Sequence, residues 1–184
     1  MKPNFRRLAL PAAVLAAALL LAPAVFAGDA KEIDSSVNAA LARFQKEVKG
    51  AASLLAGASG VLVLPKVIKG GLLLGGEYGE GALRVGGRTV GYYNVAAASL
   101  GLTFGGEMKD IIMVFLNANA LKKFRASQGW EAGVDGNVAV LETGGGASID
   151  TTKFKEPIVG FVVGVKGLLV DASFKGSKFS PIKK

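Results

Sequence analysis

The chain has 184 residues, is 51% hydrophobic, and carries a formal net charge of +8 with 26 glycines and neither cysteine nor histidine. The missing cysteines exclude disulfides, thiol catalysis and cysteine-held metals. The missing histidines exclude Ser-His-Asp triads and histidine-zinc sites, so an enzyme of this composition would have to work with carboxylates, lysines or hydroxyls alone.

Residues 1–27 read as a secretory signal. Lys2, Arg6 and Arg7 form a basic start, Leu8 to Leu21 an apolar stretch, and Val25-Phe26-Ala27 a small-residue cleavage site before Gly28. Leu8 to Ala27 holds no charge and is long enough to span a bilayer, so an uncleaved N-terminal anchor is the alternative. Pro11 and Pro23 favour cleavage. The remainder reads as one domain, an amphipathic helical part at 28–57 followed by a β-rich part at 58–184. Apart from the signal, the excess of positive charge gathers at the end, where Lys175, Lys178, Lys183 and Lys184 have no acid among them. That argues against a broad nucleic-acid footprint and allows a local contact with an anionic surface.

Asp29 with Glu32 three residues on is a helix start. Ile33, Val37, Leu41, Phe44 and Val48 then fall within an arc of about 80°. Arg43, Lys46 and Lys49 lie opposite, so the helix is predicted to dock on the protein's own core rather than in a membrane interface. Gly50 or Gly57 ends it.

From Gly60 the pattern is β-like. Gly60 to Leu64 is a buried strand ended by Pro65, and Gly70 and Gly71 release the chain into Leu72 to Leu74. Lys66 and Lys69 are thereby expected at a turn between two apolar runs. Gly86-Gly87-Arg88 is a hairpin signal between Tyr78–Val85 and Thr89–Ala97. Ser99 to Phe104 and Asp110 to Leu116 are further strands. Asn117 and Asn119 cap a short helix, Ala120 to Ala126, with Leu121 and Phe124 inward. Asn137–Glu142 with Ala147–Asp150, and Pro157–Val165 with Leu168–Phe174, are expected as β-pairs. Leu72-Leu-Leu-Gly-Gly-Glu77 is echoed by Leu102-Thr-Phe-Gly-Gly-Glu107, and glycines recur four apart at 71/75, 101/105 and 160/164. Such glycines allow sharp coiling of a sheet. The predicted class is α+β: a coiled, glycine-rich antiparallel sheet, curling toward a barrel, with a long N-terminal helix and a short central one.

No P-loop, GxGxxG or calcium loop is present. The one Ser-x-x-Lys, Ser180 to Lys183, lies too near the end of the chain to desolvate a lysine. No metal site and no cofactor are expected. Glu77, Glu80 and Glu107 are expected to serve glycine turns. Lys66 and Lys69 are the sharper candidates, as a clamp on a phosphate head group aided by the N–H groups of Gly70 and Gly71. Lys175 and Lys178, with Phe174 and Phe179, form a second candidate basic-aromatic contact. Trp130 and Tyr92-Tyr93 fit either a membrane interface or core packing.

The run Ala58 to Gly81, with GVLVLPKVIKGGLLLGGEYGEG, resembles the SYLF domain. So do Ser99 to Glu107 with Asp110 to Leu116, Asn119 to Phe124, Gly144 to Ala147 and Gly167 to Ser177. The resemblance implies phospholipid binding, with actin binding in some eukaryotic members, and no catalysis. Of the family's basic lipid contacts it carries over to Lys66 and Lys69. The expected function is that of a periplasmic or secreted, non-enzymatic protein that binds anionic phospholipid through basic residues beside an apolar surface. The alternative is an envelope scaffold that binds a protein partner through a strand edge or the basic last strand.

Overall fold

The computed structural model describes residues 28–71, 74–100, 103–140, 149, 154–164, 167–168 and 174–184, with backbone alone at 71, 74, 99–100, 103–107 and 167–168. The expected signal lies outside these residues, as does most of the expected β-pair around 143–146.

Helix α1 (Ala30–Glu47) begins as its sequence dictates: the Asp29 carboxylate accepts the Glu32 N–H at 2.7 Å. Ile33, Val37, Ala40 and Phe44 are buried, while Leu41 is half-buried and Arg43 and Lys46 face water. The helix thus docks on the core, with Ala40 buried at the contact and Leu41 packed at its edge. Gly50, at φ +89°, turns the chain into a short α2 (Ala51–Ala56).

One sheet contains β1 (Gly60–Gly71), β2 (Leu74–Val85), β3 (Arg88–Leu100), β4 (Thr103–Phe115), β5 (Trp130–Glu131), β6 (Ala139–Val140), β7 (Ile158–Gly164), β8 (Gly167–Leu168) and β9 (Lys178–Ile182). Its order is β5-β9-β3-β2-β1-β4-β7-β6, with β8 branching from β7, and it curls into a half-barrel. Helix α3 (Ala118–Ala126) follows β4. The sheet is buried on both faces. Val61, Val63, Ile112, Val114, Val159 and Phe161 meet α1 on one side. Leu62, Leu64, Val67, Ile111, Met113 and Phe115 meet α3 on the other. That double burial is why β1 and β4 read as unbroken apolar runs.

Several boundaries differ from expectation. Pro65 does not end β1. The strand continues through it by a bulge: the ladders on both sides skip from Leu64 or Val63 to Val67 or Ile68. Leu64 and Val67, three residues apart, both enter the α3-side core, which an unbroken strand would forbid. A bulge leaves residues unpaired, so the missing N–H of proline removes no ladder bond. Gly81 lies against the bulge. A Cβ there would stand 1.9 Å from the Val63 carbonyl oxygen, so only glycine fits.

Gly70 and Gly71 are ladder residues opposite Gly76 and Gly75, not the turn itself. Ser99 to Phe104 is not one strand but the end of β3 and the start of β4. Leu74 pairs with Leu100 and Gly71 with Thr103, so the β1–β2 hairpin nests inside the β3–β4 connection. The glycines of the repeated Leu-x-x-Gly-Gly-Glu motif, 75, 76, 105 and 106, fall in β2 and β4 near one end of the sheet. Of the glycines four apart, 71 and 75 pair across β1 and β2, whereas 160 and 164 share β7. Gly86 and Gly87, at φ +56° and +78°, make the predicted two-residue hairpin turn. Ala139–Val140 pairs with β7 in parallel, and the partner strand expected at 147–150 lies outside the described residues apart from Ile149.

Candidate functional site

Lys66 and Lys69 sit inside β1 and point to opposite faces. Lys66 is exposed, at φ +54° in the bulge. Such a conformation in a residue with a Cβ needs holding. Asp110 holds it: this carboxylate, 4% exposed, accepts the Lys66 N–H at 3.0 Å and the Arg43 guanidinium from α1. Asp110 therefore ties the helix to the bulge. Lys69 follows Val67 on the α3 face, in register with Glu77, which pairs with Lys109 at 2.9 Å.

The α1 face of the sheet has an uncovered end. Among the described residues no helix lies on it beyond Gly28, and cross-strand register aligns Lys178, Ala96, Tyr78, Ile68 and Met108 in one row across five strands. Tyr78 is 36% and Met108 49% exposed; Ala96 and Lys178 are exposed and Ile68 is half-buried. With strands about 4.8 Å apart the row is about 19 Å long. Gly70, Gly76 and Ala98 form the next row outward, adding no bulk. Lys66 and Ile33 join Ile68, Tyr78, Glu80 and Met108 around a cavity of 280 Å³ under the start of α1. Glu80 is neutralised there. It accepts the Tyr78 hydroxyl at 2.9 Å and pairs with Lys184 at 2.7 Å. Burial, then this bond to Glu80, raises the Tyr78 pKa.

The sequence-predicted residues are thus regrouped. Lys66 and Lys178 share a face with an apolar strip between them, while Lys69 does not join them. Lys175 lies in the turn before β9, on a cavity of 440 Å³ with Val138 and Phe174. Phe174 and Phe179 are 3% and 1% exposed, so neither offers a surface ring. Trp130 and Tyr93 are likewise core residues, stacked around Phe124 at 5.6 and 5.0 Å, and the Tyr92 hydroxyl donates to Asp34. Glu77 and Glu80 are mid-strand ion-pair partners rather than turn residues. The side chain of Glu107 lies outside the described residues.

Sequence reasoning missed Asp110, Tyr78, Ile68 and Met108. A lone acid heading the apolar run Asp110 to Leu116 was a usable signal for Asp110. The other three meet only through cross-strand register, which no local pattern shows.

Among the described residues no three acids cluster to hold a metal, and no helix is long and apolar enough to cross a membrane. Residues 96–184 match the family described as Ysc84: Las17-binding protein actin regulator. The matched residues include Ala96, Met108, Asp110 and Lys178; Lys66 and Lys69 precede them. No curated protein matches the chain.

Proposed function

We propose, from the premise that residues 96–184 carry a Ysc84 (SYLF) domain of the non-enzymatic binding kind, that this protein contacts anionic phospholipid in the bacterial cell envelope. The contact is the bare end of the sheet, and the row from Lys178 to Met108 is the observation that carries it. A soluble protein seldom leaves a line of apolar side chains open without a partner. Here Lys178 stands at one end of the line and Lys66 beside Ile68; of the two acids on the cavity, Glu80 is paired with Lys184 and Glu32 lies at the start of α1. Lysines near an anionic bilayer are worth about 1 kcal/mol each. Half-buried apolar side chains add about as much apiece on leaving water. The sum describes reversible, peripheral contact rather than insertion. The leader-like sequence of residues 1–27 supports a periplasmic or secreted location, with N-terminal anchoring as the alternative. Lys69 and Lys175 face elsewhere and stand outside the contact.

Cosedimentation with phosphatidylglycerol and phosphatidylcholine vesicles over rising salt tests the reading. Binding is expected on the anionic vesicles only, weakening as salt shortens the Debye length. Lys66→Glu with Lys178→Glu should remove most of it. Equal binding to both vesicles would refute the contact.

A second reading, a scaffold for a protein partner, has one observation of its own. Among the described residues β5 covers β9 only at Lys178 and Phe179, leaving Ser180 to Ile182 as an open edge. The matched family's description also names a protein partner. A stoichiometric pull-down that survives the double charge reversal would favour it.

A further inference from the structure

We propose that the cavity at the N-terminus of α3 binds a phosphate group. It measures 310 Å³ and is walled by Asn117, Asn119 and Lys123 of α3, by Trp130, and by Asn137 and Ile158. Two independent features make it a donor site. The Asn117 side chain accepts the Ala120 N–H at 2.9 Å, leaving the N–H groups of Ala118 and Asn119 without an acceptor among the described residues. Trp130 is 3% exposed, yet its indole N–H makes no hydrogen bond among the described residues. Gly136, also on the wall, lies against that edge: a Cβ there would be 2.9 Å from Cζ2 and 3.8 Å from Nε1. A donor without a protein partner, on a side chain this buried and at the cavity wall, is available to an acceptor that enters the cavity.

The charges point the same way. Residues 117–130 contain Lys122, Lys123 and Arg125 and no acid. None of the three forms an ion pair among the described residues. Asp135, the one acid on the wall, is exposed and already accepts the Glu131 N–H at 2.7 Å. An indole N–H, an ammonium, side-chain amides and the free N–H groups of a helix start suit a tetrahedral oxyanion with several acceptor oxygens. The site is separate from the lipid-facing row. From Met108 to Phe115, β4 runs about 23 Å, and α3 packs on the opposite face through Leu121 and Phe124. Failure of either proposal leaves the other standing.

Trp130 is the chain's one tryptophan, so the protein gives one indole N–H resonance and one indole emission. Inorganic phosphate should shift that resonance saturably at constant ionic strength, and chloride should not. Lys123→Glu should weaken binding about tenfold, the loss of one charge-assisted hydrogen bond, and Lys66→Glu should leave it unchanged. Asn137→Ala should weaken it less. Saturation by free phosphate assigns a soluble ligand. Saturation only by vesicles bearing a phosphate monoester head group assigns a lipid, again sensitive to Lys123→Glu. No saturable shift in any arm, or the same shift with chloride, overturns the proposal.

Discussion

The α1 face of the sheet has two ends built from the same strands, and they meet different surroundings. At one end Val61, Val63, Ile112 and Val114 lie under Ile33, Val37 and Phe44. The helix is tied down there by Asp34, which takes hydrogen bonds from Arg84, Thr89 and Tyr92. At the other end Ile68, Tyr78 and Met108 continue the same alternation, and among the described residues only the start of α1 reaches over their edge. Length explains the difference. An 18-residue helix is about 27 Å long, whereas the 12 residues of β1 extend about 40 Å. Burial at the first end stabilises the fold; exposure at the second leaves surface for a partner.

The sharpest test of that division is Phe44→Ala. Phe44 is fully buried, its ring 4.8 Å from that of Phe161. Its truncation should lower unfolding free energy in urea by about 3–5 kcal/mol. Asp110→Ala comes next, because Asp110 stands where the covered end meets the bare one. It should cost about 1–3 kcal/mol, since the Lys66 N–H and Arg43 lose their acceptor. Vesicle binding should weaken as well, through the freed bulge. Asp110→Asn retains an acceptor for Lys66 and should lose less of both. If Asp110→Ala lowers stability and leaves binding intact, the bulge does not position Lys66.

Met108→Ser should act in the opposite sense to Phe44→Ala. At 49% exposure it carries little of the core, so stability should move by no more than about 0.5 kcal/mol. Binding to anionic vesicles should nevertheless fall. Lys69→Glu is its companion: it lies on the other face and should spare binding, where Lys66→Glu reduces it. A Lys69 variant as damaging as the Lys66 variant would return the site to the paired clamp that the sequence suggested.

Helix α1, its Asp29 cap, the Gly86–Gly87 hairpin and α3 were legible because each is written in local spacing: a 3.6-residue stripe, a cap three residues before its partner, two adjacent glycines. The α+β class followed from them. The bulge was not legible, because Pro65 in a strand pattern reads as a stop and the compensating approach comes from Gly81, sixteen residues on. The grouping of Lys66 with Lys178 was beyond local reading for the same reason. It needs β9 laid beside β3, a pairing between distant parts of the chain. Lys66 and Lys69 looked paired only because three positions along an irregular stretch have no fixed face until the bulge is known.

The smallest expected effect is a loss of stability in alkali. Burial raises the pKa of Tyr93 above its ordinary value, with Arg125 opposing. Burial and then the bond to Asp34 do the same for Tyr92. In the unfolded chain tyrosine ionises near pH 10. Above that pH the unfolded state releases its protons first, so stability should hold from neutral pH to about 10 and then decline until the folded groups ionise as well. Lysines titrate in the same range, so the decline alone does not identify its source. Tyr93→Phe isolates it: the ring keeps its place against Phe124 on the α3 side of the sheet, and the ionisable hydroxyl goes. The urea midpoint of that variant should fall less steeply above pH 10 than that of the parent. An unchanged slope would mean that the Tyr93 hydroxyl meets water as freely in the folded protein as in the unfolded chain, and that the aromatic cluster around Phe124 is looser than its ring distances indicate.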